Sequence, residues 1–216
     1  CDPANCSATL KTLTTAPPDN PVAIVANAGA VYWANSALGT IGTCSTQGCA
    51  PPGATFANDR PGGPWYGLAI DGKAVYWTSG APDAGAVYSC SVGGCATPTS
   101  IAPSKGEPTD LAIDAQYVYW TTGVGGQVLR CPLAGCGGAQ PFVVADNQSS
   151  PYGIAVDASG IYWVNYGAGT VLRCPTSGCG GNPEVLATGQ GKPWEVVLDA
   201  TCLYWTNPGD GRIMRL

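Results

Sequence analysis

The stretch GIYWVNYGAGTVLRCPTSGC, Gly160 to Cys179, has a close paraphrase in YVYWTTGVGGQVLRCPLAGC, Tyr117 to Cys136, forty-three residues earlier. Self-similarity at such a period is the mark of a repeat architecture, and it runs through the whole chain. Tyr-Trp pairs stand at Tyr32-Trp33, Tyr76-Trp77, Tyr119-Trp120, Tyr162-Trp163 and Tyr204-Trp205, with the tryptophans spaced by 44, 43, 43 and 42 residues. Each unit has the same order of short apolar runs. One ends in Asp or Asn, as in YGIAVD; the Tyr-Trp run follows; then come a run such as GTVLRC and a last one such as PEVLAT. Short β-branched and aromatic runs bounded by Gly, Pro, Asn and Asp read as strands, and four of them in a unit of this length make a propeller blade.

The predicted fold is therefore all-β: a five-bladed β-propeller with four antiparallel strands per blade. The blades fall at about 21–63, 64–107, 108–150, 151–192 and 193–216 plus 1–20 of the 216-residue chain. The last unit stops after three strands at GRIMRL, and the opening CDPANCSATLKTLTT matches the missing loop and fourth strand, so the N-terminal strand is expected to close the ring. Closure of this kind removes exposed edges. Small residues alternating with large ones, as in Ile154-Ala155-Val156 and Leu111-Ala112-Ile113, suit the crowded innermost strand. The five tryptophans are expected between neighbouring sheets, each contributing roughly 1.5–3 kcal/mol by burial.

Ten of the eleven cysteines form C-x4-C pairs, one per blade: Cys1 with Cys6, Cys44 with Cys49, Cys90 with Cys95, Cys131 with Cys136 and Cys174 with Cys179, leaving Cys202 over as a buried thiol. Zinc is the rival reading of paired thiols. Pairs on separate blades stand too far apart to share an ion, so one local disulfide per blade is favoured, each contributing roughly 2 kcal/mol. Such usage indicates an oxidising compartment: extracellular, periplasmic or cell surface.

The net charge of −5, with only nine scattered basic residues, argues against nucleic acid and anionic lipid as partners. Neither a membrane-spanning run nor a signal peptide is expected. The absence of histidine removes the usual general base and the commonest metal ligand. No cofactor and no metal site are expected. The recurring Asp71, Asp114, Asp157 and Asp199, with Asn27 in the remaining blade, are read as turn residues that bond their own backbone in preference to a shared Ca²⁺ ring. Arg130, Arg173 and Arg215 are read as solvated or locally paired.

The run LYWTNPGDGRIMRL from Leu203 to Leu216, with VYWTSG and VYWTTG upstream, resembles the YWTD propellers of low-density lipoprotein receptor relatives and bacterial YWTD-like or NHL-like repeats. The resemblance covers essentially the whole chain and implies a ring that binds protein or glycan. Two departures stand out. The receptor rings are expected to have six blades, not five, and the Asp of the motif is here Asn35, Ser79, Thr122, Asn165 or Asn207.

Function is sought where the blades differ. Loops leading into the innermost strand and loops after the Tyr-Trp strand are expected on one face. Aligned on the Asp turns, the first of these positions holds Val22, Tyr66, Thr109, Tyr152 and Trp194, and the next holds Ala23, Gly67, Asp110, Gly153 and Glu195. The candidate ligand-binding residues are Trp65, Tyr66, Asp110, Tyr152, Trp194, Glu195, Asn165 and Asn207. Aromatic faces beside carboxylates and amides suit the C–H faces and hydroxyls of sugars. The leading expectation is a secreted or cell-surface, non-enzymatic binding module for carbohydrate or an extracellular protein. The alternatives are a glycosidase-like propeller using Asp110 and Glu195, or a structural and adhesive module.

Overall fold

The computed structural model describes residues 20–49, 53–58, 67–80, 85–104 and 106–216. Blade 1 comprises β1 (Pro21–Ala26), β2 (Ala30–Asn35), β3 (Thr40–Ser45) and β4 (Ala54–Asn58). Blade 2 comprises β5 (Leu68–Ile70), β6 (Ala74–Ser79), β7 (Gly85–Ser91) and β8 (Thr99–Ser104). Blade 3 comprises β9 (Pro108–Ile113), β10 (Tyr117–Thr122), β11 (Gln127–Pro132) and β12 (Phe142–Ala145). Blade 4 comprises β13 (Pro151–Asp157), β14 (Gly160–Asn165), β15 (Thr170–Cys174) and β16 (Glu184–Ala187). Among the described residues blade 5 has β17 (Val196–Leu198), β18 (Leu203–Asn207) and β19 (Arg212–Arg215). Every sheet is an antiparallel meander in chain order. The innermost strands β1, β5, β9, β13 and β17 all line one central cavity of about 550 Å³, so the five sheets surround a common axis. The expected N-terminal closing strand lies outside the described residues.

The core lies between blades. Trp77 packs with Tyr32, Ala34 and Ile41 of the preceding blade, and Trp120 with Val87 and Ile101. Trp163 packs with Val128 and Val144, and Trp205 with Val164 and Val171. Trp77, Trp120 and Trp163 are 0% exposed. Trp33 is only half-buried; its indole lies across Gly42 on the neighbouring strand of its own sheet, where a β-carbon would collide with the ring.

The turn after each innermost strand is built alike. Oδ1 of Asp71 accepts the backbone N–H groups of Lys73 and Ala74, each at 2.8 Å, and Asp114 accepts those of Gln116 and Tyr117, each at 2.7 Å. Asp157, Asp199 and Asn27 repeat the pattern. The tyrosine of the Tyr-Trp pair completes it: the hydroxyls of Tyr76, Tyr119 and Tyr204 donate to Oδ2 of Asp71, Asp114 and Asp199 at 3.0, 2.7 and 2.9 Å. In blade 4, Ser159 Oγ bridges Asp157 and the Tyr162 hydroxyl. The recurring aspartates thus have a structural account in turn geometry.

Disulfides join Cys44–Cys49, Cys90–Cys95, Cys131–Cys136 and Cys174–Cys179, with Cα atoms 5.3–5.6 Å apart. The expected bridges are therefore seen in four blades, and the fifth expected pair, Cys1 and Cys6, lies outside the described residues. Cross-links of this number belong with an oxidising environment. Cys202 has no disulfide and is half-buried, more open than the buried thiol expected for it, in the Asp199 turn just before β18. Arg130 lies over the Tyr117 and Phe142 rings and donates to the Thr176 carbonyl, while Arg173 pairs with Glu184 at 3.3 Å. Both are locally paired.

Candidate functional site

The leading ends of the innermost strands do not run as regular ladders. In blade 3 the register jumps from Trp120↔Leu111 to Thr122↔Pro108, so Thr121 faces two residues, Thr109 and Asp110. In blade 4 the jump lies between Pro151↔Asn165 and Ile154↔Trp163, which sets Tyr152 and Gly153 in the irregularity. In blade 5 the Thr206 carbonyl accepts from Trp194 N, and Thr206 N donates to the Glu195 carbonyl, bracketing the same two positions. A bulge re-aims side chains that a regular strand would alternate between two faces. Here it turns Asp110 and Glu195 to the lining of the axial cavity.

Glycines set how close these strands lie. A β-carbon on Gly67 would come within 2.6 Å of Leu111 N, and one on Gly153 within 2.7 Å of Glu195 Cα and of the Trp194 carbonyl oxygen. Each acid therefore follows, around the ring, a glycine that admits its backbone. The contact between β13 and β17 is secured by the Gly153 N–H donating to the Trp194 carbonyl at 2.9 Å. Between blades 3 and 4, Thr109 Oγ1 meets Thr121 Oγ1 at 2.8 Å and donates to the Pro151 carbonyl at 3.0 Å, while Thr121 Oγ1 donates to that of Tyr152 at 2.5 Å.

The Asp110 carboxylate accepts the N–H of Leu111 at 2.8 Å and, across the seam, that of Ile154 at 3.0 Å. Its pKa is nonetheless raised well above the ordinary value, first by desolvation and then by the nearby Glu195 charge, with those two N–H bonds in opposition. Glu195 is also raised by desolvation, opposed by the Val196 N–H. Although Glu195 reaches water along the channel, protein surrounds it closely enough to disfavour the charge. Neither acid has an ion-pair partner among the described residues.

Beside the pair stands an aromatic group. Tyr152 and Trp194 have ring centroids 4.4 Å apart, and Tyr166, from the loop after β14, lies 5.4 Å from Tyr152 and 5.9 Å from Trp194. Of the sequence-predicted residues, the structure brings Asp110 to the same cavity as Glu195 and sets Tyr152 against Trp194. Trp65 and Tyr66 lie outside the described residues. Asn165 and Asn207 carry hydrogen bonds that the sequence does not show. They are 5% and 2% exposed, and their Nδ2 groups donate to Gln148 and Gln190 Oε1 at 3.0 and 2.9 Å. The same glutamine oxygens accept from Trp163 and Trp205 Nε1 at 3.1 and 2.9 Å. Because an indole N–H can only donate, each glutamine presents its oxygen, and each asparagine shares that oxygen with the tryptophan two residues before it.

Sequence reasoning missed Tyr166 and the two glutamines. Each glutamine precedes its tryptophan by 15 residues, a repeated offset that was a usable signal. Tyr166 occupies a loop position held elsewhere by Ser36, Gly80, Gly123 and Pro208, where only its departure from the small residues marks it.

No protein-family model and no curated sequence matches the chain. Solved structures do. Virginiamycin B lyase from Staphylococcus aureus shares the fold with a TM-score of 0.74 at 15% identity, over 93% of this chain and 70% of the lyase. The nidogen of a nidogen/laminin complex gives 0.68 at 23%, over 87% and 73%. Regucalcin from Agrobacterium tumefaciens, a calcium-binding protein, gives 0.68 at 18%, over 92% and 76%. The expectation of a non-enzymatic ring is corrected by the first of these: the architecture is also that of a lyase, so it does not exclude catalysis. At these identities the roles of the three proteins do not transfer. A histidine-to-alanine variant of the lyase is catalytically inactive, and this chain has no histidine. The likeness shows that the chain is a β-propeller, in agreement with a propeller repeat family.

Proposed function

We propose that this propeller acts outside the cell or on its surface and binds a glycan at the mouth of its axial cavity. Asp110 and Glu195 are the polar contacts, and Trp194, with Tyr152 and Tyr166 behind it, is the stacking wall. The observation that carries this reading is the pair of carboxylates lining one cavity, without an ion-pair partner among the described residues, with an aromatic cluster at the same strand ends. Two acids held against desolvation and mutual repulsion cost stability, and groups perturbed in this way cluster at functional sites. Sugar hydroxyls satisfy both states of such a pair, because a protonated acid donates and an ionised one accepts. The aromatic wall takes the apolar sugar face. A protein ligand on the same face is the competing occupant, as the nidogen/laminin complex illustrates for another propeller.

A second reading rests on the raised Asp110 pKa: a carboxyl that holds its proton is suited to general-acid chemistry beside an ionised partner. One set of measurements tests both. Glycan-array binding followed by calorimetry is expected to find a ligand whose affinity falls about tenfold or more in Trp194→Ala, one packed aromatic contact being worth on the order of 1–2 kcal/mol, while the melting temperature stays close to that of the parent. Unchanged affinity in that variant defeats the site. Turnover of chromogenic glycosides by the parent, abolished in Glu195→Gln, would establish catalysis, and no turnover by the parent ends the second reading.

A further inference from the structure

The five positions aligned with the two acids hold Ala23, Gly67, Asp110, Gly153 and Glu195. Three of them carry a methyl group or less, so no other blade sets a large side chain beside the acids at the aligned position. Among the described residues that line the axial cavity of about 550 Å³ there is no lysine or arginine; apart from the acids the lining side chains are aliphatic. The two Asp110 oxygens accept one backbone N–H each, from Leu111 and from Ile154. Those donors are neutral. They solvate a carboxylate without cancelling its charge, and the Glu195 charge acts on Asp110 as repulsion. A sugar hydroxyl placed against the pair adds a donor and leaves the repulsion, whereas a cation adds a donor and removes it.

The donor set decides which cation fits. Calcium takes about six to eight oxygen ligands, and among the described residues no three acids or cysteines gather to hold a metal ion. An ammonium brings three N–H donors and needs only carboxylate lone pairs, of which the pair has several left. The aromatic rings at the same strand ends favour the same sign, because their faces attract a cation. Tyr166 already does so within the chain, with Lys192 Nζ 5.6 Å from its ring centroid. We infer that the group bound against Asp110 and Glu195 is an ammonium, so that the glycan is an amino sugar with free amines. The inference rests on the glycan reading of the cavity mouth and adds to it the sign of the ligand's charge. N-acetylation of the same sugar replaces the ammonium by a neutral amide with one N–H, which makes it the discriminating comparison.

The test measures by calorimetry, in mildly acid solution, a tetramer of β-1,4-linked glucosamine, its fully N-acetylated counterpart and cellotetraose, in which a hydroxyl replaces the amine. The parent is compared with Glu195→Gln, Asp110→Asn and Trp194→Ala, each checked by its melting temperature. Glu195 is exposed, so Glu195→Gln is the acid variant expected to fold without loss. The parent is expected to bind the amine about tenfold or more tighter than either neutral sugar, charge-assisted hydrogen bonds being about twice as strong as neutral ones, and the ratio is expected to fall as salt rises. Both acid variants are expected to bring the ratio towards one. Trp194→Ala is expected to weaken all the sugars and keep the ratio. Binding of the amine no tighter than that of the neutral sugars, or a ratio that persists in both acid variants, overturns the inference and leaves the glycan reading standing. Amine binding indifferent to Trp194→Ala but lost in Glu195→Gln keeps the ammonium and removes the aromatic wall. Failure of every sugar to bind overturns both.

Discussion

The two ends of the innermost strands use the same residue type for opposite purposes. At the trailing end, Asp71, Asp114, Asp157 and Asp199 each fold back on their own turn. Burial acts to raise Asp71 and Asp157, but the N–H and hydroxyl donors that ring them prevail, so both lie below the ordinary carboxylate pKa. Asp199, ringed by the N–H groups of Thr201 and Cys202 and the Tyr204 hydroxyl, is lowered to about 2. At the leading end, Asp110 and Glu195 are raised by desolvation. Asp110 and Asp114 stand only four residues apart, on and just after β9. What separates them is the number of donors. A turn supplies two N–H groups and a tyrosine hydroxyl to a carboxylate in place of water; the mouth sets a second acid beside one that burial already disfavours. Uniformity marks the end that builds the blade, and variation marks the end where the proposed site lies.

The largest expected effect is at the trailing end. Asp114→Ala removes the acceptor of the fully buried Tyr119 hydroxyl and of two turn N–H groups, at a cost of about 2–3 kcal/mol in urea unfolding. Glu195→Gln, on the same assay, is expected to stay within about 1 kcal/mol of the parent. Equal losses in the two variants would erase the distinction. Next comes Gly153→Ala, whose β-carbon must displace the backbone of Trp194 and Glu195. It is expected to cost about 1–3 kcal/mol and to weaken ligand binding along with stability, and binding that survives intact would show that the mouth does not depend on this approach.

The smallest effect is the pH dependence, which separates the ends by sign. Asp71, Asp157 and Asp199 release their protons more readily folded than unfolded, so their stabilisation is lost as pH falls through their lowered pKa values. Asp110 and Glu195 hold their protons more tightly folded, so their contribution is complete below the unfolded carboxylate range and is lost as pH rises through their raised values. Stability is therefore expected to peak in mildly acid solution. Asp110→Asn is expected to flatten the falling limb and leave the acid limb alone. A limb that persists in Asp110→Asn would assign it to another group.

Much of the fold was legible because the repeat says it again in every blade. The Tyr-Trp spacing, the Asp turns and the C-x4-C pairs each correspond to a recurring contact within about forty residues of chain, so periodicity reported them. The candidate site was legible only in part. Asp110, Glu195, Tyr152 and Trp194 stood out by departing from their aligned positions, whereas the hydrogen bonds of Asn165 and Asn207 could not be read from theirs. Their amide partners, Gln148 and Gln190, come from the connection between blades, and a hydrogen bond across that seam leaves no mark in the local pattern. Tyr166 was missed for a related reason: a single loop residue declares its neighbours only once two blades are side by side.

The sequence by itself determined the number of wedges, the strand order within each and the local cross-links of the four described pairs, because those follow from contacts between residues near one another along the chain. Only the tertiary structure decided which acids share a cavity and which asparagines are buried. Those facts depend on where bulges and glycine contacts let separate blades meet around the axis. Periodic sequence carries the blade; desolvation and charge at the mouth arise only when the ring brings distant blades together.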